Sequence, residues 1–366
     1  GNVTALPSEL MAMAPPLDAE DLRDRVQKVL DDFLVRQAAL LEDVGVELAP
    51  LMAAVCGLLA GGKRLRSAFC YWGWRGAGGA DVEPIVRAAA ALEMFQAAAL
   101  LHDDVMDGSD TRRGQPSAHR RLEALHRAQG WLGAADSFGI AGAILAGDLC
   151  LSWSDEMFTG SGLPRDLLER GRPVFDRMRT ELMAGQYLDM LEQVQSATSV
   201  ERARHIIRYK SAQYTVAQPL LLGGSLAGAE PQLLASYTAL GLPLGEAFQL
   251  RDDVLGVFGD PEATGKPAGD DLREGKRTVL VAAALERATP AQAAVVDALL
   301  GDGQLDEGGI ARLRETIVET GALRVVEQMI TDRRDEAMAA LATAPVQPEA
   351  RDVLTRLVLA ATERSE

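Results

Sequence analysis

Cysteine is scarce in this chain of 366 residues, with only Cys56, Cys70 and Cys150. Three widely spaced thiols cannot build a disulfide framework, and no C-x-x-C pair offers a zinc site. They read as buried thiols of a reducing, cytoplasmic setting. Aromatic residues make up 5% and runs of β-branched residues are nearly missing, which argues against a large sheet. Positive charge is in deficit as well. With 37 basic against 53 acidic side chains the formal net charge is −16, and this disfavours nucleic acid as a partner, because phosphate backbones demand a basic stripe. Small anionic substrates stay open, since a few clustered cations can dominate locally. Long apolar runs are lacking too. The most apolar stretch, 86–101, contains Arg87 and Glu93 and falls short of the roughly 20 residues that span a bilayer, so no transmembrane segment is expected. The opening GNVTALPSELMAMAPP has no positive region followed by an apolar one, and no secretory signal is read there. Residues 1–16 are expected to form a flexible segment and 17–366 a single domain.

What is abundant is helix-forming sequence. From Leu17 to Val44 apolar residues recur at steps of three and four, as Leu22, Val26, Val29, Leu30, Phe33 and Leu34. Similar patterns run through 46–60, 64–76, 82–106, 117–128, 138–158, 165–194, 200–222, 230–258, 278–287, 290–300, 309–320, 322–343 and 348–363. Punctuation separates them: GAGGADVEP, MDGSDTRRGQP, SGLP, AGAEP and the long stretch 259–278. No linker divides the chain and no repeat of fixed period is visible. The stretches 86–101 and 139–151 are apolar nearly all round, which predicts inner helices of a large bundle. The fold class is therefore all-α.

Two acidic clusters end apolar helices instead of lying on polar faces. In Leu100-Leu101-His102-Asp103-Asp104-Val105-Met106-Asp107, a turn of about 100° per residue puts Asp107 on the face of Asp103. Gln96 and Ala99 fall on the same stripe. Carboxylates on neighbouring turns suit Mg²⁺, which takes few protein ligands and keeps waters and substrate phosphates. The second cluster, Phe248-Gln249-Leu250-Arg251-Asp252-Asp253, brings Gln249, Asp252 and Asp253 onto one face. Like charges converging on one cavity repel unless cations intervene. Basic residues accompany both clusters. Lys63 and Arg66 stand three apart in GGKRLR at a helix start, where backbone N–H groups favour anions. Arg112 and Arg113 follow the first cluster, Lys210-Ser211 lies in a helix, and Lys266 and Lys276 stand in the loop after the second. Arg provides planar, bidentate recognition of phosphate and Lys a compact point charge. GGK is no P-loop, because the G-x-x-x-x-G-K-[ST] spacing is missing.

Taken in order and spacing, GGKRLR, LLHDDVMDGSDTRRGQPS, YKSAQYT, FQLRDD and GKPAGDDLREGKRT resemble the trans-type polyprenyl diphosphate synthases. The resemblance covers roughly residues 20–360, and the second motif is most similar to bacterial geranylgeranyl diphosphate synthases. It implies a single helical bundle around a deep central cavity, the isoprenoid synthase type I fold, and a homodimer. It implies that Asp103 and Asp107 bind two Mg²⁺ and Asp252 a third. Arg112, Lys210, Ser211, Gln249, Lys266 and Lys276 would hold the allylic diphosphate, and Lys63, Arg66, Gln96 and Arg113 isopentenyl diphosphate. Three positions depart from the pattern. Ser67 replaces a common proline, Ser211 a usual threonine, and Gly256 the last Asp of the second cluster. That last change leaves Asp253, Asp260, Asp270 and Asp271 as candidates to assist the third ion.

The implied reaction is loss of diphosphate from an allylic substrate, attack on the resulting cation by isopentenyl diphosphate, and loss of a proton to the departing diphosphate. Holding two anions side by side costs about 4 kcal/mol per unit-charge pair at 4 Å and an effective dielectric of 20. Metal ions and basic side chains offset it. His102 is expected to pack or hydrogen-bond structurally. In the family, bulky residues four and five before the first Asp act as a floor for the growing chain. Here those are Ala99 and Ala98, with Phe95 and Met94 about 12 Å from Asp103 at 1.5 Å per residue. A C20 product fits, with a longer polyprenyl or farnesyl product as the alternative. A class I terpene cyclase needs an Asn-Asp…Ser…Glu second metal site, which DDVLGVFGD (252–260) does not supply. A non-catalytic subunit of a heteromeric synthase should have eroded aspartates or arginines.

Overall fold

Helices begin and end where the sequence punctuation lies. The structure, a computed structural model, describes residues 21–195, 199–261 and 269–362. The segment 1–16 expected to be flexible is outside the described residues. The described helices gather into two compact units. The amino-terminal unit takes in Asp18–Tyr71 and Ala80–Leu168, and the carboxy-terminal unit Trp72–Gly79 and the chain from Glu169 on.

The amino-terminal unit contains α1 (Leu22–Val44), a short 3₁₀ turn (Val46–Leu48), α2 (Ala49–Leu59), the first residues of α3 (Leu65–Gly76) and α4 (Glu83–Asp107). A small antiparallel ribbon follows, β1 (Thr111–Arg112) against β2 (Gln115–Pro116), then α5 (Ala118–Gln129) and α6 (Ala135–Thr159). Proline in the first turn starts α4, and Gly108 at φ +63° ends it by folding its N–H back onto the Asp104 and Val105 carbonyls. The helix is apolar all round because it is enclosed. Val86, Ala89, Leu92 and Met94 are fully buried, as predicted for 86–101. It packs on α6, where Ser154 donates to the Ala91 carbonyl at 3.0 Å.

For 139–151 the expectation of an inner helix is corrected. On α6, Ala143, Ala146 and Cys150 are buried, but Ile140, Ile144 and Leu145 are 40–57% exposed. Apolar periodicity reports dislike of water, whatever surface meets that need. By length and composition alone α4 and α6 could each cross a bilayer; the apolar stretch of α4 is 72% buried within the chain and that of α6 33%.

The carboxy-terminal unit holds the end of α3, α7 (Arg165–Val194, from Glu169) and α8 (Val200–Ile207), which runs on through a π-helical segment (Arg208–Ala217) into α9 (Gln218–Leu226). Then come α10 (Pro231–Phe258), α11 (Asp270–Glu274), α12 (Val279–Arg287), α13 (Pro290–Leu299), α14 (Glu307–Glu319), α15 (Ala322–Thr343) and α16 (Pro348–Thr362). Its core joins Leu250, Val254 and Val257 of α10 to Leu272, Leu280 and Ile330. Arg251 grips Glu327 of α15 with two hydrogen bonds, at 2.8 and 3.0 Å, locking α10 to α15 beside the second acidic cluster.

Close approach of α10 to the π-helical segment depends on two glycines one turn apart. A Cβ on Gly241 would lie 2.6 Å from the Ala217 Cα, and one on Gly245 would lie 2.5 Å from the Ala212 Cα. The sequence pattern 200–222 predicts one continuous helix. The structure widens its middle to π pitch, a local change often found at functional sites. The five-residue α11, inside the stretch read as loop, is too short to show a period.

Gly245→Ala should therefore destabilise the protein by about 1–3 kcal/mol, since the obstructing atoms are backbone and cannot swing aside. Gly303→Ala, with nothing within 4 Å of the added carbon, should leave the melting temperature unchanged. Equal melting temperatures for the two variants would show that α10 and the π segment are not in enforced contact.

Candidate active site

In the amino-terminal unit the last turn of α4 carries the first acidic cluster. Burial divides its residues. Asp104 is 3% exposed, Asp103 is half-buried and Asp107 is exposed. The buried member was not singled out from sequence, yet it organises the neighbourhood. Arg112 on β1 meets it with a bidentate fork, Nε to Oδ2 at 3.1 Å and Nη2 to Oδ1 at 2.5 Å. Burial works against the Arg112 charge, but the Asp104 hydrogen bonds and the nearby Asp103 and Asp107 outweigh it, so its pKa is raised. Asp104 thus aims Arg112 at the edge of the carboxylate pair. His102 is structural, with Nε2 at 3.0 Å from the Ile144 carbonyl of α6.

The GGKRLR loop is built around a residue that sequence reasoning left out. Arg64 is 6% exposed; it donates to Gln27 at 2.6 Å and to the Leu59 carbonyl at 2.7 Å, and pairs with Glu93 of α4 at 3.5 Å. Ser67, where proline is common, gives its N–H (3.2 Å) and presents its hydroxyl (2.8 Å) to the same Glu93. With Arg64 turned inward, Lys63 is exposed on the loop and Arg66 sits half-buried in the first turn of α3. Arg113 reaches back to the same loop, donating to the Leu58 and Gly61 carbonyls at 3.1 and 3.2 Å. Burial lowers the Arg113 pKa, and the charges of Arg64 and Arg112 push the same way. A bound anion would relieve that crowding. Arg64 and Arg113 are two of three non-glycine residues at positive φ among those described, at +55° and +52°. Strain of this kind gathers at ligand clamps. Gln96 lies on α4, half-buried.

In the carboxy-terminal unit the glycine stripe of α10 continues into Gln249, Asp252 and Asp253. Ser211 of the π segment donates to Gln249 Oε1 at 2.8 Å, and Gln249 Nε2 donates to Asp253 Oδ1 at 2.9 Å. Asp252 is exposed, whereas Asp253 is 5% exposed. Burial above all, with smaller help from Asp252 and Asp271 and against the pull of Gln249 and Lys276, pushes the Asp253 carboxyl up to about 8. Lys210 donates to Asp189 of α7 at 2.6 Å. Asp189 was missed from sequence. Its signal is the pair Gly185 and Asp189, four apart on one helix face. A Cβ on Gly185 would lie 2.9 Å from the Lys210 backbone nitrogen, so that glycine lets the π segment down onto α7. Lys276 sits 3.3 Å from Asp271 and 3.5 Å from Glu274. Lys266 lies outside the described residues.

Among the described residues no three His, Cys, Asp or Glu side chains are assembled to hold a metal ion. The carboxylates present nevertheless fit magnesium. Asp103 with Asp107, and Asp252 beside the buried Asp253, present oxygen donors only, the donor type that magnesium takes.

Asp253 also yields a pH prediction. A carboxyl whose native pKa is about 8 instead of its ordinary 3.8 binds more protons folded than unfolded. Ligand-free stability should fall as pH climbs from about 4 to about 8. Asp253→Asn should raise the melting temperature at pH 8 by about 2–4 °C more than at pH 5. An equal effect at both pH values would count against a neutral Asp253 in the folded chain.

Comparison with known proteins fits this geometry. The sequence profile of the Polyprenyl synthetase family matches residues 49–317. A geranylgeranyl pyrophosphate synthase structure from Corynebacterium glutamicum, complexed with isoprenyl diphosphate and magnesium, superposes with a TM-score of 0.91 at 43% identity, covering 94% of this chain and 99% of that one. A geranylfarnesyl diphosphate synthase of Aeropyrum pernix is 32% identical over 83% of this chain and 91% of its own. An octaprenyl diphosphate synthase of Escherichia coli is 31% identical over 83% of this chain and 86% of its own. With a profile match over most of its length and relatives above 30% identity along nearly all of theirs, the chain belongs to the polyprenyl synthetase family, and its fold is that of the all-α isoprenoid synthases.

Proposed function

We propose that this chain is a magnesium-dependent prenyltransferase that condenses isopentenyl diphosphate with allylic diphosphates, giving all-trans geranylgeranyl diphosphate. The observation that carries it is a pairing repeated in both units: carboxylates at the end of an apolar helix beside a cation already oriented by a further carboxylate. Arg112 with Asp104 and Lys210 with Asp189 are the two instances. Residues 17–366 act together as one catalytic domain in a cytoplasmic enzyme.

When bound, about three magnesium ions would neutralise charge on the allylic diphosphate as it departs. Asp103, Asp107 and Asp252 would hold them. Arg112, Lys210, Lys266 and Lys276, with the Ser211 and Gln249 hydrogen-bonding groups, orient that diphosphate and stabilise the charge it gains. Lys63, Arg66 and Arg113 hold isopentenyl diphosphate by its phosphates, with Gln96 beside them. Restraining both substrates places the double bond against the allylic carbon. The apolar walls exclude water that would quench the cation. The side chains of α6 that face outward, Ile140, Ile144 and Leu145, supply the apolar face for a homodimer.

Product length is argued from α4. Gln96, Ala99, Leu100 and Asp103 are each partly exposed, forming a stripe above the acidic cluster. One turn deeper the stripe closes, because Leu92 and Phe95 are 0% and 1% exposed. This split separates the two alanines. Ala98 is fully buried and Ala99 is not, which favours Ala99 as the one that meets a growing chain.

Incubation with labelled isopentenyl diphosphate and C5, C10 or C15 allylic primers, read by product mass, tests the reaction. Asp103→Ala or Asp252→Ala should lower turnover more than about a hundredfold while leaving the helical circular dichroism unchanged. Near-normal turnover in either would remove the metal assignment. Ala99→Phe should shorten the main product to C15. Ala98→Phe should instead destabilise the fold by about 1–3 kcal/mol. An unchanged product from a folded Ala99→Phe enzyme would show that the chain runs elsewhere.

A further inference from the structure

Arg64 is an unusual residue to open a helix. Its carbonyl accepts the Ala68 N–H at 2.9 Å just ahead of α3, so it stands where Ser, Thr, Asp or Asn is preferred. Those side chains accept from the N–H three residues on, whereas a guanidinium accepts nothing. The N–H three residues on belongs to Ser67, which is fully buried. Its acceptor comes from another helix of the same unit. Glu93 Oε1 of α4 takes the Ser67 N–H at 3.2 Å and meets the Ser67 hydroxyl at 2.8 Å. That hydroxyl also lies 3.1 Å from the Ala89 carbonyl, one turn earlier on α4.

The proline common at this position meets the same need differently, by having no N–H to satisfy. Here the donor is kept and α4 supplies the cap. A carboxylate suits a helix N-terminus, and Arg64 Nη1, 3.5 Å from Glu93, balances its charge. Arg64 is itself at φ +55°, a conformation that lasts only where the surroundings over-determine it. Gln27, the Leu59 carbonyl and Glu93 hold its guanidinium, and Ser67 holds Glu93 in turn. Lys63 adjoins Arg64, and Arg66 lies between Arg64 and Ser67, so the placing of both cations depends on this corner. Gln96 follows Glu93 by three residues on α4, so the cap also sets the loop against the helix that carries Gln96.

We propose that Ser67 is a positioning residue for isopentenyl diphosphate. Acting through Glu93, it ties the first turn of α3 to α4 and keeps Arg64 turned inward, with Lys63 and Arg66 set for the phosphates. This role rests on the prenyltransferase reading above, and proline at 67 cannot fill it. A ligand that binds one state of a loop loses apparent affinity in proportion as that state is depopulated. Loss of the cap therefore weakens isopentenyl diphosphate and leaves the allylic diphosphate, held by other elements, as it was.

The test is steady-state kinetics of the full chain in saturating magnesium, with each substrate varied in turn. Ser67→Ala removes the hydroxyl and keeps the N–H. It should raise the KM for isopentenyl diphosphate about fivefold, with kcat and the KM of the allylic primer within about twofold of the wild type. Ser67→Pro removes both donors at a helix position that tolerates proline. It should raise the same KM by about tenfold or more, although proline is the commoner residue there. Helical circular dichroism and a melting curve accompany each variant, and Ser67→Ala alone decides where Ser67→Pro does not fold. A wild-type KM for isopentenyl diphosphate in the folded variants overturns the positioning role and leaves the prenyltransferase reading standing. A fall in kcat with both KM values unchanged also overturns it, since loss of folded enzyme alone gives that result. No turnover of isopentenyl diphosphate by the wild type overturns the reading itself, and the role of Ser67 with it.

Discussion

Four basic side chains of the GGKRLR, aspartate-ribbon, YKSAQYT and GKRT motifs meet a carboxylate at ion-pair distance within the protein itself. Arg112 meets Asp104, Lys210 meets Asp189, Lys276 meets Asp271 and Arg64 meets Glu93. A cation half removed from water without a partner would be costly, and a fork held by a fixed carboxylate loses little freedom when phosphate arrives. Each pair therefore holds a cation in place. The four do different work. Arg64 is sealed under its loop and braces it, whereas Arg112, Lys210 and Lys276 stay partly open, where an anion could share them. Around them the chain as a whole is acidic, with a net charge of −16, so the attraction for diphosphate is local.

The helices and both acidic clusters were legible because they obey a period. Asp103 and Asp107, or Gln249 and Asp253, share a face by arithmetic on one helix. The partners of the cations obey no period. Asp104 was not singled out in the sequence, and its role shows only where the ribbon of 111–116 folds Arg112 back over it. Asp189 sits 21 residues before Lys210, and nothing in that spacing says they meet. What could have revealed it is Gly185 one turn earlier, a small residue marking where another backbone comes close. The same mark, Gly241 and Gly245, precedes Gln249 on α10. Small residues at one-turn spacing before a polar one were the unread signal. Periodicity also misjudged α6, whose Ile140, Ile144 and Leu145 look like core residues in sequence and stand outside in the single chain.

Rotation about one helix axis separates roles that sequence distance runs together. Ala98 and Ala99 are neighbours, yet about 100° of helix turns one into the packed interior and the other onto the stripe of Asp103. Relatives that share about 30% of the sequence make products as different as geranylfarnesyl and octaprenyl diphosphates by name. Overall likeness therefore does not set chain length.

The departures from the family pattern follow the same logic of local exchange. At Ser67 a residue with two donors stands where proline has none, and both are turned toward Glu93, the carboxylate that also receives Arg64. At Ser211 the hydroxyl of the usual threonine survives and is in use, donating to Gln249. At Gly256 a carboxylate is gone from α10, and another lies over the vacated backbone from α11. At Ser67 the change adds donors, at Ser211 it keeps a hydroxyl in use, and at Gly256 it leaves bare backbone under a neighbouring carboxylate. A site that must bind multivalent anions next to carboxylates constrains where charges and donors stand far more tightly than which residue brings them.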